Sequence, residues 1–411
     1  MNNRMWKKTM DDIFGILSRF AFAGLLSVVL VLPANAGDRE QARRIHDRLA
    51  GVPPSAAVMS DLESAMAGTN PECASFQLTG VDPAAECAAY IAMKDVNFYN
   101  VTLKNFAAPW TNRDRSVFVP LNDYIATVIG LIRDDEPFNQ LLSRDITYVG
   151  RNGIVAAPPA ANNNDHYAQL ESNNINLRDE LVPTQQSLIN NIPPTAAAGV
   201  LTSRAAAEAF FVAGTNRAMF RFTMLNHFCS DMEQLHDPAL APDRIRQDVS
   251  RSPGGDSRLY LNNCIGCHTG MDPMAQAFAY YDYDEVNSMS LQYTPGVVQD
   301  KYFNNDLNFP QGYRTPDDHW DNYWRKGQNS YLFIDSTGPS SGDGARSLGA
   351  ELGNSQAFAA CQVKKVFRAV CLREPDLPDN GKVNQITATF RGTGYRMKQV
   401  FADTAVYCMG Q

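Results

Sequence analysis

Cys264-Ile265-Gly266-Cys267-His268 sets two thiols three residues apart, with an imidazole directly after the second. On a helix, positions i, i+3 and i+4 share one face. Two thiols placed this way can each add to one vinyl group of a single porphyrin, and the imidazole can reach the iron from the same side. This is the C-x-x-C-H pattern of covalent haem attachment. It predicts one haem c, held through Cys264 and Cys267 with His268 as the proximal iron ligand, in a cytochrome c-like helical setting. Gly266 leaves room for a porphyrin edge to approach the backbone. Other readings of C-x-x-C fit less well. A zinc site needs a second Cys or His pair at ligand spacing, and the chain offers none. A thioredoxin-type redox motif needs a βαβ setting, which the pattern around residue 264 lacks.

Haem attachment of this kind belongs to exported proteins, and the N-terminus reads as an export signal. Arg4, Lys7, Lys8 and Arg19 form a positive region, an apolar run extends from about Ala21 to Leu32, and Ala34-Asn35-Ala36 is a small-residue cleavage site. The run is shorter than the roughly 20 apolar residues a spanning helix needs. Residues 1–36 are therefore expected to be a signal peptide and the mature chain to be periplasmic or otherwise exported, with no membrane span. The leader's four basic and two acidic residues, taken from totals of 36 and 44, leave 32 and 42, a net charge of −10. That balance gives no basic footprint for nucleic acid and opposes docking on anionic membranes. An acidic surface suits a basic redox partner protein, although plain solubility accounts for it equally.

Six cysteines remain outside the motif: Cys73, Cys87, Cys229, Cys361, Cys371 and Cys408. An even set in an exported chain predicts disulfides. Cys73 and Cys87 lie across a short loop containing Gly80 and Pro83 and are expected to pair. Residues Gln356 to Arg373 read as one helix, in which ten residues span about 15 Å. A disulfide needs Cα atoms roughly 4.4–6.8 Å apart. Cys361 and Cys371 should therefore bond to Cys229 and Cys408, in either order, and not to each other.

The apolar periodicity elsewhere is mostly helical. Asp38 can cap a helix that Gly51 ends, Pro83 after Asp82 starts another, and Pro120 opens a periodic stretch to Ile132. Residues 205–235 read as two helices parted at Gly214-Thr215-Asn216. The stretches 162–194 and 293–317 are rich in Asn and Pro and read as loops. Ser330 to Ile334 is the best short strand candidate. The expected fold is mainly α with long loops: a helical N-terminal region over 37–200 and a single-haem cytochrome c-like domain over 201–411.

The residues around the motif carry a resemblance. Cys264 to His268 is followed by Thr-Gly-Met271-Asp272-Pro273 and then by Phe278-Ala-Tyr-Tyr-Asp282. This resembles the haem-binding cytochrome c domains first recognised in planctomycetes. Asp335-Ser-Thr-Gly338 to Gly344 is similar to the family's Gly-rich turn, and the stretches 348–352 and 358–373 to its C-terminal helices. Upstream, Asn122 to Phe138 and Leu141 to Tyr148 resemble the preceding domain of the same proteins. The likeness covers about Val117 to Gln411, apart from the Asn-rich region. It implies a fold and a haem rather than a substrate. Many relatives carry further haem motifs; this chain has one.

The sixth iron ligand decides between functions. Met271 and Met274 lie too close to His268 to reach the opposite haem face. Met397 leads the remaining candidates, because Met397, Phe401, Ala405 and Cys408 repeat at helical spacing, although core packing explains a methionine there equally well. Met224, Met289, His227, His236 and His319 follow, and a vacant position is the other possibility. A Met ligand would suit an electron-transfer carrier or accessory redox subunit. An open position would suit a haem enzyme of the peroxidase or oxygenase type. A third reading is a haem-stabilised structural or sensing component. Asp282, Asp284 and Glu285 could offer oxygen ligands to calcium but lack EF-hand spacing, so a solvated acidic turn is the simpler reading. Trp320 and Trp324 read as the buried stripe of one helix, and His46 and His166 as exposed.

Overall fold

The computed structural model describes residues 37–211, 216–244, 258, 260–300 and 313–410. The signal segment and the turn at residues 214 and 215 lie outside the described residues. The fold is mainly helical. Its principal helices are α1 (Asp38–Ala50), α2 (Ala56–Met66), α3 (Pro83–Ala92), α4 (Asp123–Arg133), α5 (Asp165–Ser172), α6 (Arg204–Phe210), α7 (Arg217–His227), α8 (Ile265–Ala275), α9 (Gly344–Gly353), α10 (Gln356–Cys371), α11 (Asn380–Gly392) and α12 (Met397–Cys408). Their starts follow from side chains that accept from otherwise unpaired first-turn N–H groups. Asp82 caps α3 at Ala85, Asn122 caps α4 at Ile125, Ser203 caps α6 at Ala206, and Ser355 caps α10 at Phe358. Helix α1 starts on Gly37 rather than on an Asp38 cap, and it ends where Gly51 turns left-handed at φ +73°.

Among the described residues, three antiparallel two-stranded ribbons join the helices: β1 (Thr147–Gly150) with β2 (Leu181–Thr184), β3 (Tyr281–Asp284) with β4 (Ser290–Tyr293), and β5 (His319–Asp321) with β6 (Ser341–Asp343). The expected strand at 330–334 is instead part of a 3₁₀ turn, Gly327–Phe333, seated under Asn329, whose amide donates to the Leu235 carbonyl. The Asn-rich stretch also holds more structure than a loop. It contains α5, β2 and two short helices, and its asparagines act as turn and cap acceptors, Asn163 for the Asp165 N–H and Asn176 for the Arg178 N–H. Trp320 and Trp324 are both fully buried, but one sits in β5 and the other in a 3₁₀ turn, Tyr323–Arg325.

Helix α12 packs against α10, α3, α11 and α1, so the ends of the described chain share one core. Phe401 of α12 meets Phe98 and Phe106 edge-on, at ring distances of 5.2 and 5.5 Å. All six non-motif cysteines pair: Cys73 with Cys87, Cys229 with Cys361, and Cys371 with Cys408. This is the expected set, with the order that the sequence left open now resolved.

One polar pair in this core gives a pH-dependent stability. Asp403 on α12 lies beside Glu86 on α3, and Gln399 donates to both carboxylates, at 2.6 Å to Glu86 and 3.0 Å to Asp403. Burial pushes the Asp403 carboxyl up to about 6, with the Glu86 charge acting the same way and the Gln399 hydrogen bond acting against it. An acid raised in the folded state holds its proton more tightly there than in the unfolded chain, where its value is about 3.9. This group therefore adds stability as pH falls from about 7 through 6, and loses that contribution as pH rises through 6. Asp403→Asn is expected to stabilise the protein by on the order of 1 kcal/mol near pH 7 and to flatten the gain between pH 7 and 5. Urea midpoints of wild type and variant at the two pH values measure this; parallel profiles would refute it.

Candidate functional site

Helix α8 carries the motif. It follows a π-helical turn at Tyr260–Cys264 and packs against α7, β5 and the Tyr323–Arg325 turn. Gly270 lets it approach that turn closely: a Cβ there would overlap the Trp324 indole. The loop after α7 is stitched to the start of α8. Asp237 donates its N–H to the Gly266 carbonyl at 2.8 Å, and Thr269 Oγ1 donates to the Asp237 carbonyl at 2.9 Å. Cys267 Sγ donates to the Met232 carbonyl at 3.4 Å.

Cys264 and Cys267 are the two cysteines outside disulfides, and both are partly exposed. Burial pushes the Cys267 thiol up, and the Glu233, Cys264 and Asp231 charges act in the same direction. A thiol held in its protonated form is the opposite of the activated thiolate of a redox-exchange site. His268 follows with an 18% exposed side chain. Its Nδ1 lies 3.2 Å from each oxygen of Asp272, four residues further on. Asp272 is fully buried and is gripped in turn by Arg217 of α7, through two parallel bonds of 2.9 Å. A carboxylate on one imidazole nitrogen fixes tautomer and ring orientation and raises the basicity of the other. The nitrogen directed to a metal would then be Nε2. The i+4 spacing of His268 and Asp272 is the sequence signal for this contact, and the C-x-x-C-H motif does not include it. Arg217 is remote in sequence and carried no signal.

The space over Gly266 expected for a porphyrin edge is taken by the ring of His236, an exposed side chain. Met397 is 1% exposed at the start of α12. The helices that α12 packs against are not those that hold α8, so Met397 is not assembled with the motif. His227 is fully enclosed. Its Nε2 meets the Tyr124 hydroxyl at 2.7 Å, its Nδ1 meets the Gln362 amide at 3.4 Å, and burial holds its pKa well below the usual histidine range, with the Lys365 charge adding to the effect. Both nitrogens are engaged, which makes it a structural polar group. Met224 is core, Met289 stands half-exposed on the β3–β4 turn, and His319 bonds Asp343 across the β5–β6 ribbon at 2.8 Å. His46 and His166 are buried rather than exposed: His46 Nδ1 bonds the Val52 carbonyl at 2.9 Å, and His166 accepts from the Gly150 N–H at 2.9 Å.

The acidic turn behaves as a turn. Asp284 accepts from the N–H groups of Val286, Asn287 and Ser288, and these bonds hold its carboxyl below the usual carboxylate range. No group of three or more His, Cys, Asp or Glu side chains arranged for a metal ion occurs among the described residues. No described helix is long and apolar enough to cross a membrane.

No family model matches the chain, and neither a curated protein nor a solved structure does.

Proposed function

We propose that the chain is an exported mono-haem c-type cytochrome that passes single electrons to or from a redox partner protein. The observation that carries this reading is the state of the motif: six cysteines pair off, while Cys264 and Cys267 stay as thiols next in sequence to an imidazole whose Nδ1 is fixed by Asp272. These residues fit the group. Cys264 and Cys267 would hold haem c through thioethers, and His268 would ligate its iron. When bound, haem supplies a reversible one-electron iron couple. The planctomycete-type resemblance of Cys264 to Asp282 supports the same reading, and the three disulfides suit an oxidising compartment.

A second reading, a haem enzyme of the peroxidase or oxygenase type, draws support from Met397, the leading sixth-ligand candidate, which packs apart from the motif. Visible spectra of the protein produced with a haem-maturation system decide between the two. A reduced c-type spectrum that carbon monoxide leaves unchanged is the result expected of a carrier. Rapid carbon monoxide binding would transfer the protein to the second reading, and absence of haem would overturn both.

The Arg217–Asp272–His268 chain gives a further expectation. Asp272→Asn removes the anion behind the imidazole, which disfavours ferric iron. The reduction potential should rise by on the order of 50 mV, about a tenfold change in a one-electron equilibrium. An unchanged potential in a folded variant would show that Asp272 does not act on the iron ligand.

A further inference from the structure

A cavity of about 960 Å³ opens between α1, α7, α10 and the segment around Trp110. Its volume is that of a small-molecule site. Lys365 of α10 lines it and is only 9% exposed. The ammonium donates to the carbonyl of Asn226, in the last turn of α7, and to Gln362 Oε1, and it stands 3.2 Å from the centre of the Trp110 ring. These partners are all neutral, and no described carboxylate forms an ion pair with Lys365. Burial pushes the Lys365 amine well below the usual lysine range, with the Arg115 and Arg368 charges acting the same way, so an anion entering the cavity would favour its charged form.

Lys365, Arg48, Arg115 and Arg368 line the cavity against two carboxylates, Asp47 and Asp231. Asp231 is held by Arg221 through two bonds and also feels the Arg115 charge, Asp47 faces Arg43 of its own helix at 3.6 Å through one oxygen, and Arg368 pairs with Glu374. Arg48 and Arg115 line the cavity without an ion pair among the described residues. The remaining surface is largely apolar, with Phe106 beside Trp110. The opening thus joins an aromatic wall to a lining in which cations outnumber carboxylates.

We propose that this cavity binds an amphiphilic organic anion, with a carboxylate meeting Lys365 and the guanidinium groups of Arg48 and Arg115, and an apolar body along Trp110 and Phe106. The loop that follows α7 connects the two regions of the molecule. Asp231 and Gln234 line the cavity, while Met232 accepts from Cys267 on α8. The anion would bind directly behind the loop that seats the motif. The site does not depend on the haem reading.

Titration of the purified mature protein with 2-naphthoate tests this, with calorimetry and tryptophan fluorescence as readouts and the uncharged 2-naphthalenemethanol as control. Saturable one-to-one binding of the acid is expected, with the alcohol at least about tenfold weaker. Lys365→Met should weaken the acid about tenfold and leave the alcohol unchanged, and Arg115→Ala, at an exposed position, about threefold. If Lys365 only caps the end of α7, the affinity will not follow these charges. No saturation by about 10 mM, equal binding of acid and alcohol, or unchanged affinity in the variants would overturn the proposal. Should Lys365→Met not fold, Arg115→Ala and the alcohol control decide alone.

Discussion

Replacing Cys264 and Cys267 together by alanine is expected to abolish covalent haem completely. In the proposed cytochrome these are the sole thioether sites, since the other six cysteines are consumed in disulfides. Intact mass under denaturing conditions should show one added haem in the wild type and none in the double variant. Acid-acetone should leave pigment on the wild-type protein only. Each single variant retains one thiol and should give a lower yield of singly attached haem. His268→Ala separates the roles: the thioethers can still form, but the proximal ligand is lost, so covalent pigment should persist with an altered spectrum. Covalent haem in the double variant, or a second haem in the wild type, would remove the basis of the assignment. The helical core should tolerate these changes, because both thiols are partly exposed and the Cys267 hydrogen bond to the Met232 carbonyl is a weak one.

Local signals carried most of what was legible in the sequence. Asp82-Pro83, Asn122 and the Gln356–Cys371 periodicity act within one helical turn or along one face, and the helices stand where those patterns put them. The disulfide set followed because helix rise is a fixed distance. Misreadings arose where a side chain's face outweighed its neighbours' polarity. His46 lies among charged residues in sequence but falls on the α1 face with Ala42, Ile45 and Leu49, so it is buried. Trp320 and Trp324 have helical spacing, yet β5 pairing with β6 claims the first and an Asn322-capped turn the second. The asparagines of 162–194 were read as breakers and in fact serve as caps. At the candidate site, the motif itself was fully legible. Arg217, which holds Asp272, and the cavity around Lys365 are assembled from segments far apart in sequence, which no local pattern encodes.

The disulfides should differ in their worth to stability, and in a definite order. In the chain-entropy account a bridge stabilises by restricting the unfolded chain, more so for longer loops. The separations are 14 residues for Cys73–Cys87, 37 for Cys371–Cys408 and 132 for Cys229–Cys361. Removing them should cost about 3, 4 and 5 kcal/mol respectively. The longest bridge should matter most on structural grounds too, because it ties the end of α7, which holds Arg217 and thereby Asp272, to α10 in the core. Its Cys229 adds a complication: the residue sits at φ +54°, in the left-handed region. Alanine there is strained relative to glycine by roughly 1–2 kcal/mol. The clean comparison is therefore between Cys229→Ala/Cys361→Ala and Cys229→Gly/Cys361→Ala. The difference between them measures the backbone strain, and the alanine version, which keeps the strain that Cys229 itself carries, measures the cross-link. Denaturant midpoints under non-oxidising, non-reducing conditions should rank the three bridge deletions by loop length even after that correction. If the Cys229–Cys361 deletion is the mildest of the three, neither chain entropy nor the tie between α7 and α10 sets the worth of this bridge.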